Sequence, residues 1–302
     1  MLNQRPIFLH CFTHGGSSML VDFLISHPNV CNSSGETHKV FKPGTAFDVG
    51  WPRLKKRALY DYPIRLVTRQ DYFRPRLLEE RKPVPEFLRR YIDRILYHGR
   101  FTAMVETHNL YKYDSVPYTK EELAQCRLLT KGLDGIVFTA GLFHEMYPDA
   151  KFVGLTRNGL AICEGYIRRG ATAEMFANLY NTVAGKMLEV SQQIPGYHIL
   201  RYEEMVGDPV AFLKKVYKIA DLNIEEVPKF RVLTRPITDK DGKRVLIKGE
   251  FRQVLWYPLD ELKASIRSDI NENQIRQLGP ENRERFLAVA GKTMEKLGYS
   301  LN

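Results

Sequence analysis

The chain has 302 residues, 45 Lys+Arg against 35 Asp+Glu for a net charge of +10, and is 44% hydrophobic and 11% aromatic. Such a composition excludes disorder and is long enough to bury a large core, and no proline-, glycine- or serine-rich run divides it, so one domain spanning 1–302 is expected. The positive balance fits a polyanionic partner, whether nucleic acid, an anionic membrane or a phosphorylated cofactor, and does not choose among them.

Taken in chain order, the first element is an apolar strand, IFLHCF. A small-residue loop, THGGSS, follows it, then a helix start, MLVDFLISHP, and an acidic tail, SGE. This order puts free backbone N–H groups and two hydroxyls at a helix N-terminus, where proteins hold phosphate or sulfate. Gly15 and Gly16 allow close backbone approach and positive φ, while Ser17 and Ser18 can donate to a ligand oxygen or cap the helix. A plain strand-to-helix turn with a serine cap is the competing reading. The loop is not a Walker A motif, because GxxxxGK[ST] needs a lysine where Gly16 stands.

Residues 42–105 are rich in arginine, proline and aromatics and read as helices and loops over a core, either an acceptor pocket or lid or a solvated helical insertion. Two further strand-to-helix units are AKFVGLT, 150–156, running into RNGLAICEGYIRRG, and YHILRY, 197–202, running into EEMVGDPVAFLKKVYKIADL. Between them Phe176, Leu179, Val183, Met187 and Val190 recur at helical spacing. Phe286, Ala290, Met294 and Leu297 mark a closing helix, with Gly298 as its stop. Alternating strands and helices predict an α/β fold with a mainly parallel sheet, whose ligands gather at the carboxyl ends of the strands. No window approaches the roughly 18 apolar residues of a membrane span, and MLNQRPIFLHCF lacks a signal-peptide core, so a cytoplasmic chain is expected. Cys11, Cys31, Cys126 and Cys163 form no CxxC pair, which predicts reduced, partly buried thiols rather than a zinc or dithiol site.

Three segments together resemble the sulfotransferases that use 3′-phosphoadenosine 5′-phosphosulfate (PAPS), a P-loop-like fold: THGGSSML followed by HPNVCNSSGETHKVF, PDAKFVGLTRNGLAICEGYIRRG, and ILRYEEMVGDP. The pattern is nearest the tyrosylprotein and carbohydrate branch, and weakest over 42–125, a helical acceptor-binding or lid insertion. The resemblance implies that Thr13, His14, Gly15, Gly16, Ser17 and Ser18 cradle the 5′-phosphosulfate. It implies that Arg157 holds the 3′-phosphate, that Lys131 contacts cofactor or acceptor, and that Lys248 with Gly249 belongs to a basic loop closing over the cofactor. Glu36 matches the GE carboxylate that takes the acceptor proton, with His108 as second choice. Two positions depart from the pattern: His14 stands where the family has Lys or Arg, and Gly165 where it has a serine that meets the 3′-phosphate. With an ordinary pKa of about 6.5, His14 would supply charge only when protonated.

Sulfuryl transfer needs positioning and stabilisation of charge on oxygens, with no metal required, and a hydroxyl acceptor needs a base within about 3 Å. The reaction expected is transfer from PAPS to a hydroxyl, or less directly an amine, of a small molecule, sugar or tyrosine-like group, leaving adenosine 3′,5′-bisphosphate (PAP). No nucleic-acid partner is expected on this reading. A P-loop-like phosphotransferase and a non-catalytic anion- or nucleic-acid-binding protein of the same fold are the alternatives. Each site residue also has a plain structural reading: Glu36 a loop cap, Arg157 an ion-pairing arginine, His14 a hydrogen-bonder, Tyr202 and Glu203 a strand end and helix cap.

Overall fold

The central strand β1 (Ile7–Cys11) is buried along its whole length, and its residues alternate between two cores. Ile7, Leu9 and Cys11 pack on one face with Leu20, Phe212 and Phe230, while Phe8 and Phe12 pack on the other with Phe143, Phe176 and Phe286. A strand covered on both faces is apolar at every position, which is why IFLHCF reads as a run and not as an alternation. A computed structural model describes residues 1–32, 85–102, 111–233, 254–267 and 269–301.

Beyond β1 come β2 (Val30–Asn32), the short pair β3 (Tyr111–Lys112) and β4 (Val116–Pro117), β5 (Arg127–Leu133), β6 (Lys151–Thr156), β7 (Tyr197–Arg201), and the hairpin of β8 (Phe230–Leu233) and β9 (Val254–Tyr257). The main sheet has the order β2-β5-β1-β6-β7 with every neighbouring pair parallel. The chain thus builds to one side of β1 and then to the other, so the switch point lies at the carboxyl end of β1, where THGGSS begins.

Most expected elements form. The helix Ala173–Gln193 buries Phe176, Val183, Met187 and Val190, and it packs on the closing helix Pro280–Lys296, which ends before Gly298 at φ 81°. The strand through Arg127–Leu133 was not among the expected elements. Polar Thr130 and Lys131 interrupt its apolar run, yet it lies between β2 and β1. Within the 42–125 region, the described helix Glu86–Thr102 is not merely solvated: Ile92 and Leu96 enter the core, and buried Arg100 donates from Nη1 to the carbonyls of Leu123, Ala124 and Cys126, each at 3.0 Å. All four cysteines are free and fully buried, beyond the partial burial expected. Among the described residues no helix is long and apolar enough to cross a membrane.

Candidate anion-binding site

The turn after β1 is tight. Gly15 N donates to Phe12 O at 2.9 Å, and both His14 (φ 64°) and Gly16 (φ 84°) adopt the left-handed region. Glycine at 16 is required twice, since a Cβ there would lie 2.2 Å from the Tyr202 ring. Gly16 is the N-cap of the helix Ser17–Ile25 (α1) and offers no side-chain cap, so Ser17 and Ser18 are the first helical residues and not its cap. Met19 N donates to Gly16 O at 3.1 Å, while the N–H groups of Ser17 and Ser18, as at any helix start, lack an i−4 acceptor at the positive end of the helix dipole.

A cavity of about 630 Å³ opens over this helix end. Thr13, His14, Gly16, Ser17 and Ser18 form its floor, Lys131, Arg169 and Arg267 bring positive charge, and Val232, Leu255 and Tyr257 of the β8–β9 hairpin form an apolar wall. Lys131 reaches it from inside β5, and its Nζ stands 3.4 Å from Ser18 Oγ. The parallel pairing of Leu9 with Lys131 is what brings a strand lysine to the loop that lacks one.

Arg157 lies behind the loop. It is buried, and Nε donates to Asn271 Oδ1 at 2.7 Å, Nη1 to the His14 carbonyl at 2.7 Å, and Nη2 to Gln274 Oε1. Its guanidinium also lies 4.5 Å from the centre of the Tyr202 ring. Glu203 adds a second brace by accepting from Asn158 N at 2.9 Å and from Asn271 Nδ2. The arginine thus ties loop and helix Ile270–Leu278 together and is not among the cavity's lining residues.

The two departures from the family pattern meet in space. A Cβ on Gly165 would come within 3.3 Å of His14 Cδ2, and the His14 ring meets Tyr166 edge-on at 5.8 Å. Burial, then Arg169, Arg168 and Arg157, hold the His14 pKa below its ordinary 6.5, with Glu164 opposing weakly. The shift disfavours the protonated form, the only form in which His14 would supply charge. Gly15 presses on Phe12 O, which a Cβ would approach to 2.8 Å.

Glu36, His108, Lys248 and Gly249 lie outside the described residues. His144 sits on the helix Ala140–Met146 against Phe152, away from the cavity. Arg169 and Arg267 escaped sequence reasoning, and of the hairpin only the segment running into β9, the basic loop of Lys248 and Gly249, was marked. Only the basic pair in IRRG hinted at the first, and nothing local marks a hairpin whose strands are separated by 20 residues.

A mainly parallel sheet with a glycine-serine loop at its switch point defines an α/β protein. The sulfotransferase family is matched over residues 6–226, and the chain belongs to that family. Among solved structures, the sulfotransferase domain of the Synechococcus PCC 7002 olefin synthase is 15% identical with a TM-score of 0.52, over 99% of this chain and 97% of that one. The sulfotransferase domain from the curacin biosynthetic pathway is 14% identical with a TM-score of 0.50, over 99% of each chain. These likenesses establish the fold, a single-domain sulfotransferase fold. No curated protein matches.

Proposed function

We propose that the protein transfers a sulfuryl group from PAPS to a hydroxyl, with an amine as the second acceptor class, on a small molecule, sugar or tyrosine-like group. The observation that carries this reading is the cavity itself. Its lining combines the α1 N-terminus, Ser17, Ser18 and Lys131 with Arg169, Arg267 and an aromatic and apolar wall, a set of groups that suits a nucleotide with anionic groups. PAPS supplies the activated sulfonate.

In this scheme the backbone N–H groups and Lys131 hold charge that develops on the sulfonate and leaving phosphate oxygens. The acceptor oxygen forms the new S–O bond as the bond to the nucleotide phosphate breaks, PAP departs, and the acceptor proton passes to Glu36, or to His108 as second choice. Arg157 keeps the 3′-phosphate contact that the resemblance implies, and Arg169, which lines the cavity, is a second candidate for it. Tyrosylprotein- and carbohydrate-type acceptors belong to this proposal on the GE pattern alone.

Lys131 beside Ser18 also favours a second reading, a P-loop-like phosphotransferase, because the fold restores in space the lysine missing from the loop. Thermal unfolding separates the two. PAP is expected to raise the melting temperature by ligand linkage and ATP to do much less; an equal response to both would transfer the site to the phosphotransferase reading. For the base, Glu36→Gln is expected to lower turnover by roughly a hundredfold or more while PAP binding persists, and unchanged turnover would move that role to His108.

A further inference from the structure

Asp134 lies just past the end of β5, three residues beyond Lys131, with its backbone in the left-handed region at φ 50°. That conformation is costly for any residue with a side chain and is held only where the surroundings enforce it. Here the carboxylate is the enforcing group. Oδ1 accepts from Thr13 N at 2.9 Å, Oδ2 accepts from Thr13 Oγ1 at 2.7 Å, and the Tyr166 hydroxyl stands 3.4 Å from both oxygens. Tyr166 in turn meets the His14 ring edge-on and stacks on Phe176 at 4.4 Å.

One side chain therefore joins the end of the strand that carries Lys131, Thr13 at the start of the loop, and the helix Gly159–Ile167. We infer that Asp134 is a positioning residue of the donor site: it fixes the loop against Lys131, so that the α1 N–H groups and the ammonium converge on one anion. Thr13 serves the site through this latch, not through its own hydroxyl on the ligand. The inference rests on the PAPS reading for the identity of that anion.

The test is a set of variants measured by calorimetric titration with PAP, by turnover, and by thermal unfolding. Asp134→Gly suits the left-handed backbone and removes only the carboxylate. It is expected to weaken PAP binding by about tenfold and to lower turnover by about a hundredfold. Thr13→Val is expected to cost about threefold in PAP affinity, and the double variant to bind no worse than Asp134→Gly, because the hydroxyl acts through the carboxylate. Wild-type affinity and turnover in Asp134→Gly, or independent losses that multiply in the double variant, would overturn the inference. A wild-type chain that does not bind PAP overturns the donor reading instead, and is seen before any variant is compared.

Discussion

Gly16 answers to two constraints of different origin, a backbone angle of φ 84° and the Tyr202 ring where a Cβ would stand at 2.2 Å. Either alone disfavours a side chain, and together they leave no substitution that keeps the loop in place. Gly16→Ala is expected to cost about 1–3 kcal/mol of stability and to abolish the PAP-induced rise in melting temperature, measured by thermal unfolding with and without ligand. A variant that kept the full ligand response would mean that the loop does not hold the anion. His14 and Gly165 make the same point for a pair. Read along the chain they are two separate departures, but in the fold the ring lies against the glycine, and burial first, then three arginines, lower its pKa. Lys131 meanwhile stands beside Ser18.

At the scale of elements, the loop is stiff because three neighbours hold it: β5 through Asp134, the helix Ile270–Leu278 through Arg157, and the Tyr202 ring beneath Gly16. Arg157→Gln would leave the His14 carbonyl, Asn271 and Gln274 short of a donor at once. The expected loss is about 2–3 kcal/mol in urea unfolding, with faster amide exchange across 270–278 than in the wild type. Unaltered stability would return Arg157 to the purely ligand-binding role first expected of it. The β8–β9 hairpin is held to α1 in a similar way, Arg231 N donating to Ser26 Oγ at 2.8 Å with Arg231 Nε 3.7 Å from Asp22 Oδ1. This fixes one wall of the cavity to the helix that forms its floor.

For the whole molecule, acid sensitivity follows from a histidine in the core. His10 is 1% exposed on β1, its Nε2 has no hydrogen-bond partner among the described residues, and burial lowers its pKa from 6.5 to about 3. The unfolded chain takes a proton near pH 6.5 that the folded chain refuses until about pH 3, so this contribution is complete above 6.5 and is lost as pH falls through that window. His14 shifts in the same direction and adds to it. Urea unfolding between pH 7 and 5 is expected to fall by up to ~1.4 kcal/mol per pH unit for the His10 proton, and His10→Gln to flatten the slope by that one proton. A slope untouched by the substitution would place the effect elsewhere.

Much of the architecture was legible because it rests on local patterns. A continuous apolar run must be a strand buried on both faces, three- and four-residue spacing from Phe176 to Val190 must be a helix, and small residues between strand and helix must be a turn that exposes N–H groups. Lys131 and Arg157 show where this stops. Both were singled out from the resemblance as ligand-binding residues, yet the direction of neither side chain could be read. The side to which a strand residue points, and what it meets there, follows from register between strands distant in sequence, as in Leu9 opposite Lys131. The amino-acid order alone thus determined a parallel α/β sheet with a glycine-serine turn into a helix after its first strand. Only the tertiary structure decided that the charge at that loop comes from the neighbouring strand, that Arg157 braces from behind, and that Asp134 locks the turn, because these contacts join segments more than 100 residues apart.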